Sequence, residues 1–325
     1  MTLFPPLGLD VAKSKFNACL IRESGKLRHS SFANSAAGFA QLSAWLAKLG
    51  AGSAHACMEA TGTYYEALAA YLHEEGHAVS VVNPAAVKAY AQSRLSRTKC
   101  DRVDAELIAG FCAERRPARW RPPAPELREL QALVRRLDSL TEMRTMEENR
   151  LASGVTVAAV RASLEDSISY LTEQIRKTEA LIRSHVDNHP GLRRQRELLD
   201  SIPGVGEATA AALLAEVPDI KQYKSARQVA AFAGLVPRER RSGSSVRGRV
   251  RLSKVGNARL RKALYFPAVT ALRCSPFFQA WADGLRQRGK SKMAVIGAAM
   301  RKLVHLAYGV LKTGQPFDPE WAKRA

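Results

Sequence analysis

The sequence predicts an α/β domain followed by a mostly helical remainder. Over residues 1–120, short apolar runs of strand length alternate with segments whose apolar residues recur at the helical spacing of three and four. Beyond them, helical periodicity continues over much longer stretches. At 325 residues, the chain is long enough for two or three domains, each with an apolar core of its own.

Strands are the first predicted elements. Residues 7–11 and 17–21 are short apolar runs, and Ser24 with Gly25 forms a turn signal. Residues 27–32 follow this turn and are expected to return antiparallel to the run before it.

Helices and strands then alternate. Gly50 ends a helix over 37–49, and Pro84 opens another helix at its favoured first-turn position. The predicted order is βββ-α-β-α-β-α-α, which describes a mixed sheet with helices packed on it. The other elements of this region are a strand over 54–58 that ends at Glu59, a helix over 63–75, a strand over 78–82 and a helix over 98–114.

A proline-rich stretch ends this first domain. Residues 117–125 contain four prolines, which neither a helix nor a strand accommodates. Apolar residues then recur at helical spacing over 126–148 and again over 164–182, which indicates an antiparallel helical hairpin or an oligomerising coiled coil. We therefore predict three domains, over 1–120, 121–190 and 191–325.

The net charge of +20 is concentrated in the C-terminal part of the chain. Residues 191–325 hold 26 basic and 9 acidic residues, whereas 121–190 is nearly neutral. Such a surface indicates a polyanionic partner, most simply nucleic acid, with an acidic membrane surface as the weaker alternative. Aromatic residues make up only 7% of the chain, which argues against binding of single strands by base stacking.

Cysteine usage and hydropathy limit the cellular compartments in which the protein is expected. The five cysteines are scattered and form no CxxC pair, which excludes the usual zinc spacings and a disulfide framework. No apolar run approaches the ~20 residues that span a bilayer, and no basic and apolar leader precedes the first strand. We expect a cytoplasmic protein that makes no use of a membrane.

Four acidic residues stand where strands and a helix are expected to bring them together. Asp10 lies in an otherwise apolar run, Glu59 ends a strand, and Asp101 and Asp104 share one helical face because they are three residues apart. Ribonuclease-H-like folds collect acids at such positions around two Mg²⁺ ions, which stabilise the attacking and leaving oxygens of phosphoryl transfer. The alternative is that these acids are solvated surface charges or helix caps.

Residues 201–216 resemble a helix-hairpin-helix. A Pro-Gly-x-Gly turn precedes an Ala-rich helix, and Gly204 and Gly206 would let backbone N–H groups approach a DNA phosphate. Such contacts carry no sequence information. A plain packing corner between two helices is the alternative interpretation.

The stretch 237–257 is rich in Arg, Ser and Gly and is predicted to be a loop that contacts phosphates. Its candidate nucleic-acid contacts are Arg241, Arg247, Arg249, Arg251 and Lys254.

Ser242 in the same stretch is a candidate nucleophile toward a phosphodiester. It lies between Arg241 and Gly243, and neighbouring guanidinium groups would stabilise the charge of the transition state. Ser244 and Ser245 compete with it by composition alone. No histidine is near, so a Ser-His-Asp hydrolase is excluded, and activation has to come from a metal, an arginine or a remote carboxylate.

Motifs along nearly the whole chain, from Leu7 to Phe317, resemble those of the DEDD insertion-sequence transposases. The N-terminal motifs are similar to their RuvC-like domain and read GLDVAK, MEATGTYYE, VSVVNPAAVKAYAQS and TKCDRVDAELIA. The C-terminal motifs are similar to their transposase domain and read SIPGVGEATAAALLAE, AFAGLVPRERRSGSSVRGRVRLSKVGNARLRKALY and KLVHLAYGVLKTGQPF. The pattern departs at Arg241, where other members carry Gln or Glu before the serine.

The resemblance implies a DNA recombinase with an RNase-H-like (RuvC-like) domain, a coiled-coil middle and a mostly α C-terminal domain with a helix-hairpin-helix. It implies Asp10, Glu59, Asp101 and Asp104 as Mg²⁺ ligands, and Ser242, favoured because the Ser-Gly pair is what matches, as the residue that forms a covalent phosphoserine with DNA. It further implies a composite site between protomers of a homo-oligomer, with a tetramer (a dimer of dimers) favoured. Target and donor double-stranded DNA and, in some members, a non-coding bridge RNA are the implied partners, in the nucleoid of a prokaryote.

Two other functions remain open at this point. A RuvC-like junction nuclease would cleave with water at the acids, and Ser242 would only touch phosphate. A non-catalytic nucleic-acid-binding or scaffolding protein would need neither the acids nor the serine.

Overall fold

The computed structural model describes residues 4–60, 62–95, 100–217, 219–242 and 246–320, with the side chains of 240–249 left out. The chain forms two compact units, Met1–Pro122 and Pro123–Ala325. Their boundary lies within the proline-rich stretch that was predicted to end the first domain. The further division of the second unit at residue 190 stays a prediction.

A mixed five-stranded sheet forms the centre of the first unit. Its strand order is β3-β2-β1-β4-β5, with β2 antiparallel to both β1 and β3, and with β1, β4 and β5 parallel. The most central strand, β1, therefore contacts both an antiparallel and a parallel neighbour. The strands are β1 (Pro6–Val11), β2 (Lys15–Ile21), β3 (Leu27–Ala33), β4 (His55–Glu59) and β5 (Ala78–Val82).

Four helices complete the first unit, and the predicted element order βββ-α-β-α-β-α-α is confirmed. The side chain of Ser35 accepts a hydrogen bond from the N–H of Gly38 and caps the first helix, and Asn83 caps the third just before Pro84. The helices are α1 (Ala36–Lys48), α2 (Glu66–Glu74), α3 (Pro84–Ser93) and α4 (Asp101–Arg115).

Alternation along β1 gives the sheet two different faces. Leu7 and Leu9 are fully buried in the apolar core that includes α1 and α2. Gly8 points to the other face, where a Cβ atom would lie 2.2 Å from the carbonyl oxygen of Ala105 and 2.3 Å from the N atom of Ala109. Because Gly8 has no side chain, α4 lies directly on β1, and this close approach positions the site described below.

Two long helices open the second unit, α5 (Pro125–Ala152) and α6 (Ala158–Asn188). A ring nitrogen of His185, near the end of α6, lies 2.8 Å from the carbonyl oxygen of Glu126, near the start of α5. The helices are therefore antiparallel and form the helical hairpin that the sequence predicted. The oligomerising coiled coil stays a prediction.

The rest of the second unit is largely helical around one apolar core. The helix α13 is long and apolar enough to cross a membrane, but 72% of its apolar window is buried in the fold, as in a core helix. The elements are α7 (Pro190–Asp200), α8 (Glu207–Glu216), α9 (Ala226–Phe232), β6 (Pro237–Ser242), β7 (Val246–Leu252), α10 (Ala258–Ala263), α11 (Tyr265–Cys274), α12 (Pro276–Gln287) and α13 (Lys292–Thr313).

The prediction of a loop over 237–257 was wrong for most of that stretch. β6 and β7 pair antiparallel, with Pro237 opposite Leu252 and Ser242 opposite Val246. Val246, Val250 and Leu252 are spaced by two or four residues, which is the period of a strand, and the arginines between them obscured it in the sequence. Most of the basic stretch therefore belongs to two paired antiparallel strands.

Candidate active site

The sheet brings two of the predicted acids side by side. Asp10 lies near the end of β1, and Glu59 is the last residue of β4. The two strands are parallel, and Leu9 is opposite Met58, so that the next residue of each strand is Asp10 and Glu59. Both acids lie at the carboxyl edge of the sheet.

Alternation places both carboxyl groups on the face covered by α4. Asp10 is two residues from Gly8, which packs against that helix. Glu59 is two residues from Cys57, which packs in one buried apolar cluster with Cys112 of α4. The side chains of Asp10 on β1 and Glu59 on β4 therefore both lie on the face of the sheet that α4 covers.

The helix α4 supplies the other two acids from its first turn, which contains Asp101 and Asp104. The N–H of Asp104 donates to the carbonyl oxygen of Cys100 and closes this turn at 2.9 Å. Acidic residues stabilise a helix N-terminus because their negative charge interacts favourably with the positive end of the helix dipole. Asp101 and Asp104 therefore favour the start of α4 and also contribute carboxylates to the site.

Electrostatics shows that the four acids share one region. Burial raises the pKa of Asp10, and repulsion from Asp104 and Asp101 raises it further. Burial also raises the pKa of Glu59, to which Asp10 and Asp104 add. The sequence prediction that strands and helix bring these acids together is therefore met in the fold, while their catalytic role stays a prediction.

Two residues of β2 join this region, and sequence reasoning missed them. The ammonium of Lys15 lies 3.0 Å from Oδ2 of Asp101, and the side-chain amide of Asn17 donates to the same oxygen at 3.5 Å. These contacts, with Lys15 as the main cause, lower the pKa of Asp101. Asn17 is directly opposite Asp10 in the β1–β2 register, so the signal lay in the hairpin pairing and not in any motif.

The donor set suits a hard divalent cation. Carboxylate oxygens are the ligands that Mg²⁺ prefers, and a cation would relieve the repulsion that raises the pKa of Asp10 and Glu59. As the side chains stand, no three His, Cys, Asp or Glu residues in the described part of the chain are arranged to hold a metal ion. Lys15 contacts one oxygen of Asp101, a member of this donor set.

In the second unit, Ser242 is the last residue of β6. Its side chain lies outside the described part of the chain, as do those of Arg241, Arg247 and Arg249. Residues 243–245, which include the two competing serines, lie outside it entirely. Arg251 and Lys254 are described and exposed, in keeping with a role at a surface.

Backbone contacts fix the base of this hairpin. The N–H of Ser253 donates to the carbonyl oxygen of Val236 at 2.8 Å, and that of Asn257 donates to Phe232 at 2.6 Å. Gly256 has a φ of 140°, and a Cβ atom there would lie 2.2 Å from the carbonyl oxygen of Phe232. The chain entering β6 and the chain leaving β7 are thus tied together below the serine.

The two glycines of the predicted helix-hairpin-helix have different environments. Gly204 has a φ of 87°, and a Cβ atom there would lie 2.5 Å from the carbonyl oxygen of Pro267. Gly206 precedes α8, and nothing lies within 4 Å of where its Cβ would be. Gly204 therefore allows close packing against Pro267. Of the two glycines, only Gly206 has space around its backbone for a ligand to approach. Contact with DNA stays a prediction for both.

A carboxylate cluster in one unit and an arginine-rich sequence along the hairpin of the other are features expected of a nucleic-acid-processing enzyme. Residues 7–158 match a DEDD family model of the IS110 type described as "Transposase". Residues 196–282 match the model "Transposase IS116/IS110/IS902 family". The chain belongs to this family of DEDD insertion-sequence transposases.

Sequence similarity to individual proteins supports this family assignment. The chain is 33% identical to the "Pilin gene-inverting protein" of Moraxella bovis, over 96% of this chain and 97% of the relative. It is 29% identical to the "Transposase for insertion sequence element IS1111A" of Coxiella burnetii, over 82% of this chain and 78% of that protein. The protein is accordingly a transposase or recombinase that acts on DNA, in a family that uses divalent metal ions.

Proposed function

We propose that the protein cuts and rejoins double-stranded DNA through a covalent phosphoserine at Ser242, assisted by Mg²⁺ held at Asp10, Glu59, Asp101 and Asp104. One observation carries this proposal: three separate elements bring the four acids to one edge of a sheet. Asp10 and Glu59 are half-buried, and their pKa values are raised by burial and by repulsion from neighbouring acids, for which a surface role gives no reason. A metal site does, because the bound cation removes that repulsion.

The first unit is proposed to be an RNase-H-like, RuvC-like domain. The support is its topology, in which an antiparallel β1-β2-β3 meander continues into parallel β4 and β5 with a helix crossing β1. In this arrangement, Asp10 and Glu59 end adjacent central strands, and α4 brings its acids over them.

The chain's own residues have defined tasks in the reaction. Asp10, Glu59, Asp101 and Asp104 would hold the divalent cation, which would stabilise negative charge on the phosphate oxygens. The Oγ atom of Ser242 bonds to phosphorus and loses its proton, while the bond from phosphorus to a deoxyribose oxygen breaks and that oxygen takes up a proton. In the second step, a deoxyribose hydroxyl of the other DNA end attacks the phosphoserine, and Ser242 leaves. One phosphoester bond replaces another at each step, so strand exchange needs no ATP.

The basic hairpin is proposed to hold the DNA backbone around that serine. Arg251 and Lys254 are exposed on its returning strand and just beyond it. Arginine offers a planar fork of donors that matches phosphate geometry, so a row of arginines on a strand suits a continuous backbone. Arg241, Arg247 and Arg249 are proposed to do the same, and Gly206 to offer a backbone N–H at the start of α8.

Guidance by a non-coding bridge RNA and assembly into a tetramer complete the proposal. A protein that reads backbone and shape can leave sequence choice to base pairing, and the composition supports this, with many arginines and few aromatics. Two DNA partners and a site shared between protomers favour a dimer of dimers.

Inversion of a DNA segment is a second candidate outcome of the same chemistry. The relative from Moraxella bovis is named for gene inversion, and the likeness covers 96% of this chain. Exchange between two sites in inverted orientation on one DNA molecule gives inversion, and Ser242 is proposed to act identically in inversion and in transposition.

The test is recombination of DNA that carries the flanking sequences of the gene, with and without RNA that co-purifies with the protein. Glu59→Gln and Ser242→Ala are each expected to abolish recombinant joints, and Glu23→Gln, a change in an exposed turn, is the matched control. A Ser242→Ala variant of full activity would establish the junction nuclease instead. Full activity of both variants would leave only a non-catalytic binding role.

A further inference from the structure

The acid cluster contains a cation that belongs to the chain itself. The ammonium of Lys15 lies 3.0 Å from Oδ2 of Asp101, and the side-chain amide of Asn17 reaches the same oxygen. Within the described residues, this is the ion pair that the four acids make. It joins the start of β2 to the start of α4.

The fold gives Lys15 this position. Asn17 is opposite Asp10 in the register of β1 and β2, and Lys15 is two residues before Asn17, on the same face of the strand. Ala12 N–H donates to the carbonyl oxygen of Lys15 at 2.9 Å, which closes the turn between the strands. Lys15 is thus held at the rim of the carboxylate cluster by backbone pairing.

The ion pair is accessible and exchangeable. The side chain of Lys15 is 54% exposed and that of Asp101 is 57% exposed. An exposed pair of this kind is weak, so water or another cation replaces it easily. Whether the Lys15–Asp101 ion pair persists therefore depends on which cation competes for Asp101.

A divalent ion and Lys15 compete for this carboxylate. Both are positively charged and repel one another at short distance, so each weakens the binding of the other to Asp101. Metal binding at these four acids is part of the proposed function, and the following inference rests on it.

We propose that Lys15 occupies Asp101 as a built-in counter-ion in the metal-free protein and is displaced when the divalent ion binds. Lys15 thereby lowers the metal affinity of the site and stabilises the cluster while it is empty of metal. It is a positioning residue, since it acts through Asp101 and not on DNA.

The test is direct titration of the full-length protein with Mn²⁺, with free Mn²⁺ followed by electron paramagnetic resonance. Lys15→Gln is expected to bind Mn²⁺ about tenfold more tightly than the wild type, since it removes both the competitor and the repulsion. Lys15→Arg keeps the cation and is expected to stay within about twofold of the wild type. Lys26→Gln removes one exposed charge from the turn at the other end of β2 and is the matched control.

The Glu59→Gln variant distinguishes failure of the metal site from failure of the proposed role of Lys15. Unchanged affinity in Lys15→Gln, together with weakened binding in Glu59→Gln, overturns the role of Lys15 and leaves the metal site standing. Unchanged binding in Glu59→Gln overturns the metal site and the role of Lys15 with it. Because Lys15 is exposed, its variants are expected to keep the wild-type circular dichroism spectrum, and Lys15→Arg provides a second test in the same fold.

Discussion

The side-chain amide of Asn257 donates a 2.6 Å hydrogen bond to the buried carboxylate of Glu216. Glu216 is the last residue of α8 and is only 6% exposed. The Oδ1 atom of Asn257 accepts from the N–H of Leu260 and caps α10, while its own N–H donates to Phe232. One side chain thus fastens the end of the serine-bearing hairpin to the helix that follows the Gly204 turn.

Removal of this fastening is expected to destabilise the second unit. Asn257→Ala loses a helix cap and a hydrogen bond to a buried carboxylate, which together cost about 2–3 kcal/mol of the free energy of unfolding. Urea denaturation measures this loss. Asn188→Ala, at an exposed helix end, is the control and is expected to cost less than ~0.5 kcal/mol. Equal stability of the two variants would show that the contact does not anchor the hairpin.

A methyl group at Gly8 is expected to separate α4 from the sheet. The added Cβ would meet the backbone of Ala105 and Ala109, which cannot turn away as a side chain would. Gly8→Ala should cost about 3 kcal/mol or more of unfolding free energy and weaken Mn²⁺ binding, because the acids of α4 move from those of the strands. Gly52→Ala is the control, since nothing lies within 4 Å of its Cβ position. A Gly8→Ala variant as stable as Gly52→Ala would contradict the close packing of this helix.

Asp10→Asn is expected to raise the melting temperature in metal-free buffer at pH 7 while it abolishes recombination. The folded-state pKa of Asp10 is raised by burial and by Asp104 and Asp101, so its ionised form favours the unfolded chain. This penalty is fully present above the folded-state pKa and disappears as the pH falls below the ordinary value of 3.8. Melting curves between pH 3 and pH 7 with a chelator measure it. A melting temperature below that of the wild type at pH 7 would contradict the repulsion inferred here.

Neutralising the hairpin cations is expected to flatten the salt dependence of DNA binding. Each of Arg247, Arg249, Arg251 and Lys254 that contacts a phosphate adds about one unit to the slope of log affinity against log salt. Replacement of all four by Gln should lower this slope by about four units, as measured by fluorescence anisotropy on duplex DNA. An unchanged slope would place these side chains away from the DNA.

The positions of the acids along their elements could be predicted from the sequence. Asp10 and Glu59 lie at or near the ends of apolar runs of strand length, and parallel strands have their carboxyl ends at one edge. The helical spacing places Asp101 and Asp104 on one face of α4. The close approach of α4 to β1 at Gly8, which brings the two pairs together, depends on tertiary packing.

The partners of the acids could not be predicted in the same way. Lys15 and Asn17 depend on the register of a hairpin, and a shift of one residue would turn both away from Asp101. Asn257 reaches Glu216 across 41 positions of sequence, and only tertiary packing brings them together. The β6–β7 hairpin was missed because charged residues hid the alternation of its three apolar ones.

The most direct measurement identifies the amino acid that becomes linked to DNA. The protein is incubated with Mg²⁺ and a nicked DNA substrate that traps the intermediate, and trypsin then releases residues 242–247 for fragmentation by mass spectrometry. The account predicts a nucleotide on Ser242, no adduct in Ser242→Ala, and a normal adduct in Ser244→Ala and Ser245→Ala. A nucleotide on another residue, or an undiminished adduct in Ser242→Ala, would contradict the serine mechanism.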